Sequence, residues 1–349
     1  MGYYGDGSNI TGIVDTGSRD DIALLGFKVA ANGSLAKYNL VDQAIDAFED
    51  ASGVDASAST DEVRNAAGNY YSGTAPASGG TETSYDDGGT DYAVHTFLSS
   101  GTFVAGATAD ADILVVAGGG YGSTGDPGGG GGAGGMLVGN IEVSAGSKTI
   151  TVGAGGTSGV GDDSIFDVGG LDATADGGGN GGASGGSGGG GNKTGGGGSA
   201  TQGDSGGLTG YGNNGGTGGS ANRSAGGGGG AGGAGGAGDN GAGSSGNGAT
   251  GVSNVYRTGS AVYYAGGGGG GHDNQSGGAG SGGNGGGGAG GKGTSGTAGT
   301  ANTGGGGGGS YGTGTNGGSG IVVIRFVEGA FDGFNDMTLI SNATTAESV

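Results

Sequence analysis

The chain has 349 residues, a formal net charge of −21, 110 glycines, 2 prolines and no cysteine. A glycine fraction near one third, without a strict Gly-X-Y register or abundant proline, excludes a collagen triple helix. The lack of cysteine excludes disulfides and thiolate metal sites, and the strong negative charge argues against nucleic acid as a partner. No apolar run reaches the length of a membrane span and the first residues do not form a signal peptide, so we expect no membrane insertion.

Residues 1–76 predict a small helical segment. Asn39 is a candidate cap for one amphipathic helix, and the S-x-x-E capping box at Ser59–Glu62 predicts a second helix that ends at Gly68. Two short helices bury little surface alone, so we expect this segment to serve in attachment or oligomerisation. Residues 77–92, rich in glycine, are predicted to be a linker.

From residue 93 the pattern predicts β-strands, so residues 93–328 are expected to form a glycine-rich β-domain, followed by a C-terminal tail at 329–349. The candidate strands are short runs bounded by glycine: Ala93–Leu98, Thr102–Val104, Asp112–Ala117, Met136–Val143, Lys148–Val152, Ser164–Val168, Ala261–Tyr264 and Ile321–Val327. The continuous apolar runs Ile113–Val116 and Ile321–Ile324 indicate central strands. We therefore expect a β-sandwich-like core that its last strand closes over a very long insertion.

The insertion is dominated by glycine: 92 of the 203 residues from Gly118 to Gly320. One interpretation is a flexible linker or a disordered segment. The other is a bundle of packed polyglycine-II helices, which are extended chains with three residues per turn that bond side by side through their backbones. We predict the bundle, because backbone hydrogen bonds are the main contacts by which so many glycines can offset the conformational entropy that they lose on ordering.

The motifs for chemistry in the sequence are weak. Gly120–Gly125 matches G-x-G-x-x-G after a strand, but proline and more glycines follow where a dinucleotide site needs a helix. Asp162 and Asp163 lie in a single copy of a sequence close to a calcium-binding nonapeptide, a device that works as tandem copies, so a loop is favoured over a calcium site. His95 and His272 have no credible nucleophile partner. We expect no enzymatic activity, no cofactor and no metal.

Bulky and basic residues of the glycine region are candidate contacts with a receptor or partner. Tyrosine and arginine dominate recognition surfaces, and tyrosine suits adaptable glycine-rich loops. The candidates are Tyr211, Arg223, Tyr256, Arg257 and His272. The alternative, left open for the two tyrosines and two arginines, is that they plug the ends of the bundle or join the β-core. Tyr263 and Tyr264 are predicted to be core residues, because their neighbours favour a strand.

Ordered segments along the chain match the pattern of a known family: Val94–Phe97, Ser100–Phe103, Ala111–Gly120, Gly131–Leu137, Thr149–Gly156 and Gly317–Phe326. On these segments, residues 94–327 resemble the glycine-rich domain of bacteriophage tail fibres and related virion proteins. The N-terminal 76 residues and the tail are more loosely similar to marine phage fibre proteins. The resemblance implies a virion-exposed location and host recognition, with no catalytic residues.

We therefore predict a virion fibre or adhesin component that displays glycine-rich loops to a host-surface glycan or protein. A homotrimer and other virion proteins are the expected partners. The alternatives are a purely structural virion protein, such as a capsid decoration or fibre shaft, and a self-assembling extracellular filament subunit. A further alternative is an ice- or carbohydrate-binding protein, which would need flat, regular faces on its surface.

Overall fold

The computed structural model of the chain describes residues 61–64, 69–73, 77–168, 172–219, 223–240, 243–328, 330–331 and 338–342. Within these ranges the protein is mainly β and contains no helix; its strands are β1 Asp61–Arg64, β2 Asn69–Gly73, β3 Thr81–Asp87, β4 Thr90–Phe97, β5 Gly101–Ala105, β6 Ala109–Val116, β7 Met136–Val143, β8 Gly146–Thr151, β9 Ser164–Phe166, β10 Ala173–Ala175, β11 Thr209–Tyr211, β12 Val252–Asn254, β13 Val262–Tyr264, β14 Ile321–Val327 and β15 Thr338–Asn342. The chain divides into two compact units, and the larger one comprises residues 78–104 and 110–326.

The smaller unit contains a three-stranded antiparallel sheet in the order β1-β2-β15. The capping box predicts that the second helix begins within residues 61–64. The structure instead places these four residues in strand β1. Pairing with β2 overrides that local signal, as tertiary context commonly overrides propensity. The helix predicted after Asn39 lies outside the described residues, and the helical N-terminal segment as a whole stays a prediction.

The larger unit is built on a six-stranded sheet in the order β11-β7-β6-β14-β4-β3. β14 pairs antiparallel with β6, and Ile321 lies opposite Val116. Both strands are central, and the apolar runs Ile113–Val116 and Ile321–Ile324 are fully buried. The prediction that the last strand closes the core over the glycine-rich insertion is therefore confirmed.

Residues 81–87, within the predicted linker, form the outer strand of this sheet. β3 pairs with β4 from Thr81 opposite Thr96 to Asp87 opposite Thr90. Gly88 and Gly89 make the two-residue turn with φ values of +65° and +92°, which glycine accepts without strain. Sequence reasoning missed this strand because its side chains are polar and mostly exposed. The Gly-Gly pair between Asp87 and Thr90 was the available signal.

A four-stranded sheet in the order β10-β9-β8-β5 belongs to the same unit. Phe103 of β5 contacts two residues of the six-stranded sheet, His95 of β4 and Phe326 of β14, with ring centroids 5.2 Å and 6.4 Å away. All three side chains are buried. The two sheets therefore meet through an aromatic contact. β12 and β13 form a separate two-stranded hairpin.

Backbone hydrogen bonds with a period of three residues order the glycine-rich insertion. The N–H groups of Gly118, Gly119 and Gly120 donate to three different segments, and those of the next three residues return to the same segments in turn. The acceptors, in order, are the carbonyl oxygens of Asp162, Gly318, Gly132, Gly159, Thr315 and Gly129. An extended chain with three residues per turn presents every third N–H group to the same neighbour.

Residues 128–135 lie at the centre of this arrangement and bond to six other segments, each of which also bonds to the next one in the ring. The six are residues 117–123, 176–179, 187–190, 226–229, 268–271 and 304–310. We call these seven segments the glycine bundle. A Cβ atom at Gly131 would lie 2.1 Å from the Gly120 carbonyl oxygen, and one at Gly130 equally close to that of Gly268. The spacing between segments therefore requires glycine.

Candidate functional site

The glycine bundle has one end at the sheets and one end away from them. Ala117, directly after β6, donates its N–H to the carbonyl of Gly135, directly before β7, and this contact marks the sheet end. Six residues later, the Ser123 N–H donates to the Gly129 carbonyl at the opposite, distal end. At ~3.1 Å per residue of extended three-fold chain, the two ends are ~19 Å apart.

Several loops meet at the distal end, and we call them the distal loop cluster. They are residues 124–127, 192–194, 223–224, 239–240 with 243–244, 272–278, 292–295 and 311–314. Three of the four Lys and Arg residues between positions 177 and 320 lie here, namely Lys193, Arg223 and Lys292. Most of the basic side chains of residues 177–320 therefore lie at one end, and the carboxylates of Asp126, Asp239 and Asp273 lie in the same loops.

His272 is fully buried in this cluster and joins two of its loops. Its Nδ1 lies 2.8 Å from the Asp273 carbonyl oxygen, and its Nε2 lies 2.9 Å from the Gly243 carbonyl oxygen. The Asp273 carboxylate oxygen Oδ1 also lies 3.2 Å from Nδ1. The histidine ring therefore connects the loop at residues 272–278 with the loop at Gly243.

Arg223 extends this network towards the surface. Its Nη1 donates to Gln275 Oε1 and lies 3.9 Å from Asp273 Oδ2. The Asp273 backbone N–H in turn donates to the Arg223 carbonyl at 3.1 Å. The side chain is 36% exposed, so this ion pair contributes little to stability and leaves part of the guanidinium open to a partner. The structure therefore brings Arg223 and His272 together through Asp273.

Sequence reasoning missed other distal side chains. Lys193 Nζ lies 3.6 Å from Asp126 Oδ2, and Lys292 Nζ donates to the Gly277 carbonyl at 2.8 Å. Tyr311 is 41% exposed at the end of the segment that bonds to the bundle centre. Each of these side chains stands directly after a glycine run or in a short polar interruption between runs. That position was the signal that could have identified them.

Tyr211 and Tyr256, two of the predicted contact residues, lie at the sheet end instead. Tyr211 is opposite Met136 in the pairing of β11 with β7. Both tyrosines are half-buried and pack against the hydrophobic core. Their position agrees with the alternative that such residues join the β-core.

Arg257 lies near Tyr264, also away from the distal loops. Burial raises the pKa of the Tyr264 hydroxyl, and the positive charge of Arg257 opposes that shift. Tyr264 is 1% exposed, which confirms its prediction as a core residue, whereas Tyr263 is 46% exposed and its core prediction is wrong. Successive strand residues point to opposite faces, so only one of the two can face the core.

Arg325 holds the β12–β13 hairpin against the six-stranded sheet. Its Nε donates to Asp112 Oδ2 at 2.9 Å and its Nη1 donates to the Tyr85 hydroxyl at 3.1 Å. The guanidinium carbon lies 4.1 Å from the Tyr92 ring centroid and 4.6 Å from that of Tyr256. Burial lowers the pKa of Arg325, but hydrogen bonds to Tyr85 and Asp112 outweigh it, so the pKa is raised. Burial, and then the charge of Asp112, raise the pKa of Tyr256.

His95 is a buried strand residue between aromatic rings. Its ring stacks on Phe326 at 5.5 Å, and its Nδ1 lies 2.7 Å from the Gly79 carbonyl oxygen. Its Nε2 is 3.2 Å from Glu82 Oε2 but outside hydrogen-bond geometry. Burial lowers the pKa of His95, against the opposing effects of the Gly79 carbonyl and Glu82. This is the environment of a neutral core histidine.

The motifs weighed for cofactors and calcium take part in backbone packing. The Gly120 N–H donates to the Gly132 carbonyl and the Gly122 N–H to the Thr315 carbonyl, so neither is directed at a phosphate. Asp163 Oδ1 accepts a hydrogen bond from the Gly177 N–H at 2.7 Å. In the part of the chain that the structure describes, no group of three or more His, Asp or Glu side chains is placed to hold a metal ion. The same residues include no helix with the length and hydropathy of a membrane span.

The sequence profile of the glycine-rich domain family matches residues 96–327, about two thirds of the chain. The chain belongs to this family. The matched region begins in β4 and ends with β14, so the family domain contains the central strands and the whole glycine-rich insertion between them. No curated protein sequence matches the chain significantly.

Proposed function

We propose that the glycine bundle is an array of packed polyglycine-II helices carried by a β-sandwich-like core. The period-three hydrogen bonds, the six neighbours of residues 128–135 and the close Cβ positions support the first part. The contact of Phe103 with Phe326 supports the face-to-face packing of two sheets. Such a bundle is a rigid platform, because its segments are tied to several neighbours through the backbone.

We further propose that the protein is a fibre or adhesin component exposed on a bacteriophage virion, and that the distal loop cluster contacts the host surface. The observation that carries this proposal is that three of the four Lys and Arg side chains of residues 177–320, together with the exposed Tyr311, lie in loops at the free end of the bundle. Loops on a rigid scaffold are a common location for recognition. In this proposal the partner is a host-surface glycan or protein, the protein is a homotrimer among other virion proteins, and it has no catalytic role or cofactor.

A purely structural role is the second candidate, as a capsid decoration, a fibre shaft or an extracellular filament subunit. The observation that favours it is the pairing of distal charges within the chain, Lys193 with Asp126 and Arg223 with Asp273. In that role the distal loops would be covered by other subunits. Acylation of Lys193 and Lys292 on intact particles, read by peptide mapping, separates the two roles. Reaction supports display, and protection supports the structural role.

The direct test is binding of the purified full-length protein to a panel of bacterial cells and to a printed glycan array. The loop variant combines Lys193→Ser, Arg223→Ser and Tyr311→Ser. We expect it to bind at least ~30-fold more weakly, since a single recognition hot spot is worth ~2 kcal/mol or more. Thermal denaturation checks that the variant remains folded.

The matched control is Tyr263→Ser, because Tyr263 has similar exposure to Tyr311 but belongs to β13 at the sheet end. We expect this control to bind like the unchanged protein. Unchanged binding by the loop variant, or an equal loss in the control, would contradict the assignment of recognition to the distal loops.

A further inference from the structure

The glycine-rich insertion contains six Asn-Gly pairs, which begin at Asn180, Asn214, Asn240, Asn247, Asn284 and Asn316. In such a pair the glycine amide nitrogen can attack the asparagine side-chain carbon, because the following residue has no Cβ to obstruct the approach. The attacking nitrogen must give up its proton. A hydrogen bond that holds this N–H group on a carbonyl oxygen therefore opposes the reaction, and so does a bond that fixes the asparagine side chain.

Three of these pairs are held by the backbone lattice. Their glycine N–H groups donate to carbonyl oxygens at 2.8–3.0 Å: Gly215 to Gly198, Gly248 to Ser281 and Gly317 to Gly156. In two of them the side-chain oxygen is fixed as well, since Asn214 Oδ1 accepts from the Ala200 N–H and Asn247 Oδ1 from the Ser281 N–H, both at 2.8 Å. All three asparagines are exposed, so access to water does not distinguish them from a reactive pair.

Asn284-Gly285 differs from these pairs in its hydrogen bonds. It lies in the turn that connects two bonded segments, residues 280–283 and 287–291, and Gly285 has a φ of +100°. Among the described residues, neither the Gly285 N–H nor the Asn284 side chain has a hydrogen-bond partner, and Asn284 is exposed. We propose that Asn284 is the preferred site of spontaneous deamidation among the Asn-Gly pairs whose two residues the structure describes, which are those at Asn180, Asn214, Asn247, Asn284 and Asn316. Asn180, which is half-buried and followed by an equally free Gly181 N–H, is the expected second site.

The reaction needs no reagent other than water. The Gly285 nitrogen forms a bond to Asn284 Cγ, its proton passes to water, and the side-chain nitrogen leaves as ammonia. Water then opens the resulting succinimide at either carbonyl, which gives aspartate or isoaspartate. Each conversion adds a negative charge to a chain that already carries −21. Isoaspartate also lengthens the main chain by one carbon and turns the Asn284 main-chain carbonyl, which accepts the Gly251 N–H at 2.7 Å, into a free carboxylate.

The test is incubation of the folded full-length protein at mildly alkaline pH, followed by peptide mapping that resolves asparagine, aspartate and isoaspartate at each pair. We expect Asn284 to convert roughly 10- to 30-fold faster than Asn214 and Asn247, because each of those must first lose two hydrogen bonds. In denaturant the same pairs should convert at similar rates. On isoelectric focusing, an Asn284→Ser variant should form acidic species more slowly than the unchanged protein, whereas Asn214→Ser should form them at the same rate.

Three results would overturn the proposal. The first is equal conversion of Asn214, Asn247 and Asn284 in the folded protein. The second is an equally large preference for Asn284 in denaturant, which would assign the effect to local sequence. The third is an unchanged Asn284 in the folded protein by the time the denatured chain has fully converted.

Discussion

Gly131→Ala is expected to destabilise the glycine bundle strongly, because this glycine lies where the central segment contacts a neighbour. The new Cβ would lie 2.1 Å from the Gly120 carbonyl oxygen, which is 1.3 Å inside the 3.4 Å at which ordinary contact begins. Relieving this overlap moves residues 117–123 away and breaks bonds such as that from the Gly120 N–H to the Gly132 carbonyl. Two lost hydrogen bonds at ~1 kcal/mol each, with ~1–3 kcal/mol for overpacking, lower the free energy of unfolding by ~3–5 kcal/mol.

Urea denaturation followed by the fluorescence of the 13 tyrosines measures this change, since the chain has no tryptophan. The matched control is Gly196→Ala, where a Cβ meets nothing within 4 Å. We expect that variant to be unchanged or more stable by up to ~1 kcal/mol, because alanine reduces the entropy of the unfolded chain. Equal stability of the two variants would refute the argument that close backbone packing requires glycine in the bundle.

Three further changes test other parts of the structure. Arg325→Met should lower the free energy of unfolding by ~2–3 kcal/mol in thermal denaturation, because it leaves the partly buried Asp112 without its cation, and Asp112→Asn added to it should recover part of the loss. His95→Gln should flatten the dependence of stability on pH. Because burial lowers the pKa of His95, the unfolded chain takes up the proton at a higher pH than the folded protein does. The unchanged protein should therefore lose stability as pH falls below 6.5, the ordinary pKa of histidine. An identical pH profile in the variant would contradict this. Asn214→Ala removes the side-chain acceptor of the Ala200 N–H and should lower the free energy of unfolding by ~1 kcal/mol. Thr217→Ala, at an exposed position three residues further along the same segment, should leave it nearly unchanged.

The pattern of apolar side chains predicted the central strands of the fold. The apolar runs at Ile113 and Ile321 indicated central strands, and the structure pairs them in the middle of the six-stranded sheet. β3 escaped prediction because an outer strand with polar side chains has no apolar face to reveal it. The strands β10, β11 and β12 have three residues each, which is too short for an alternating pattern to be visible.

The partners of the glycine segments could not be predicted from the sequence. Runs such as Gly226–Gly230 and Gly266–Gly271 consist of glycine only, so the local sequence does not indicate which neighbouring segment each run bonds to. That choice depends on the register of backbone hydrogen bonds across the whole bundle. For the same reason, the proximity of Arg223 to His272 and the distance of both from Tyr256 became visible only in three dimensions.

The central claim is that the glycine-rich insertion is a folded bundle holding the distal loops. Amide hydrogen exchange over residues 109–327, which include β6 and β14, tests it most directly. The amides of residues 128–135 should exchange as slowly as those of β6 and β14, because their N–H groups are bonded within the core of the unit. The amides of the distal loop cluster should exchange faster. Exchange of residues 128–135 at the rate of an unfolded chain, while β6 and β14 remain protected, would contradict the account.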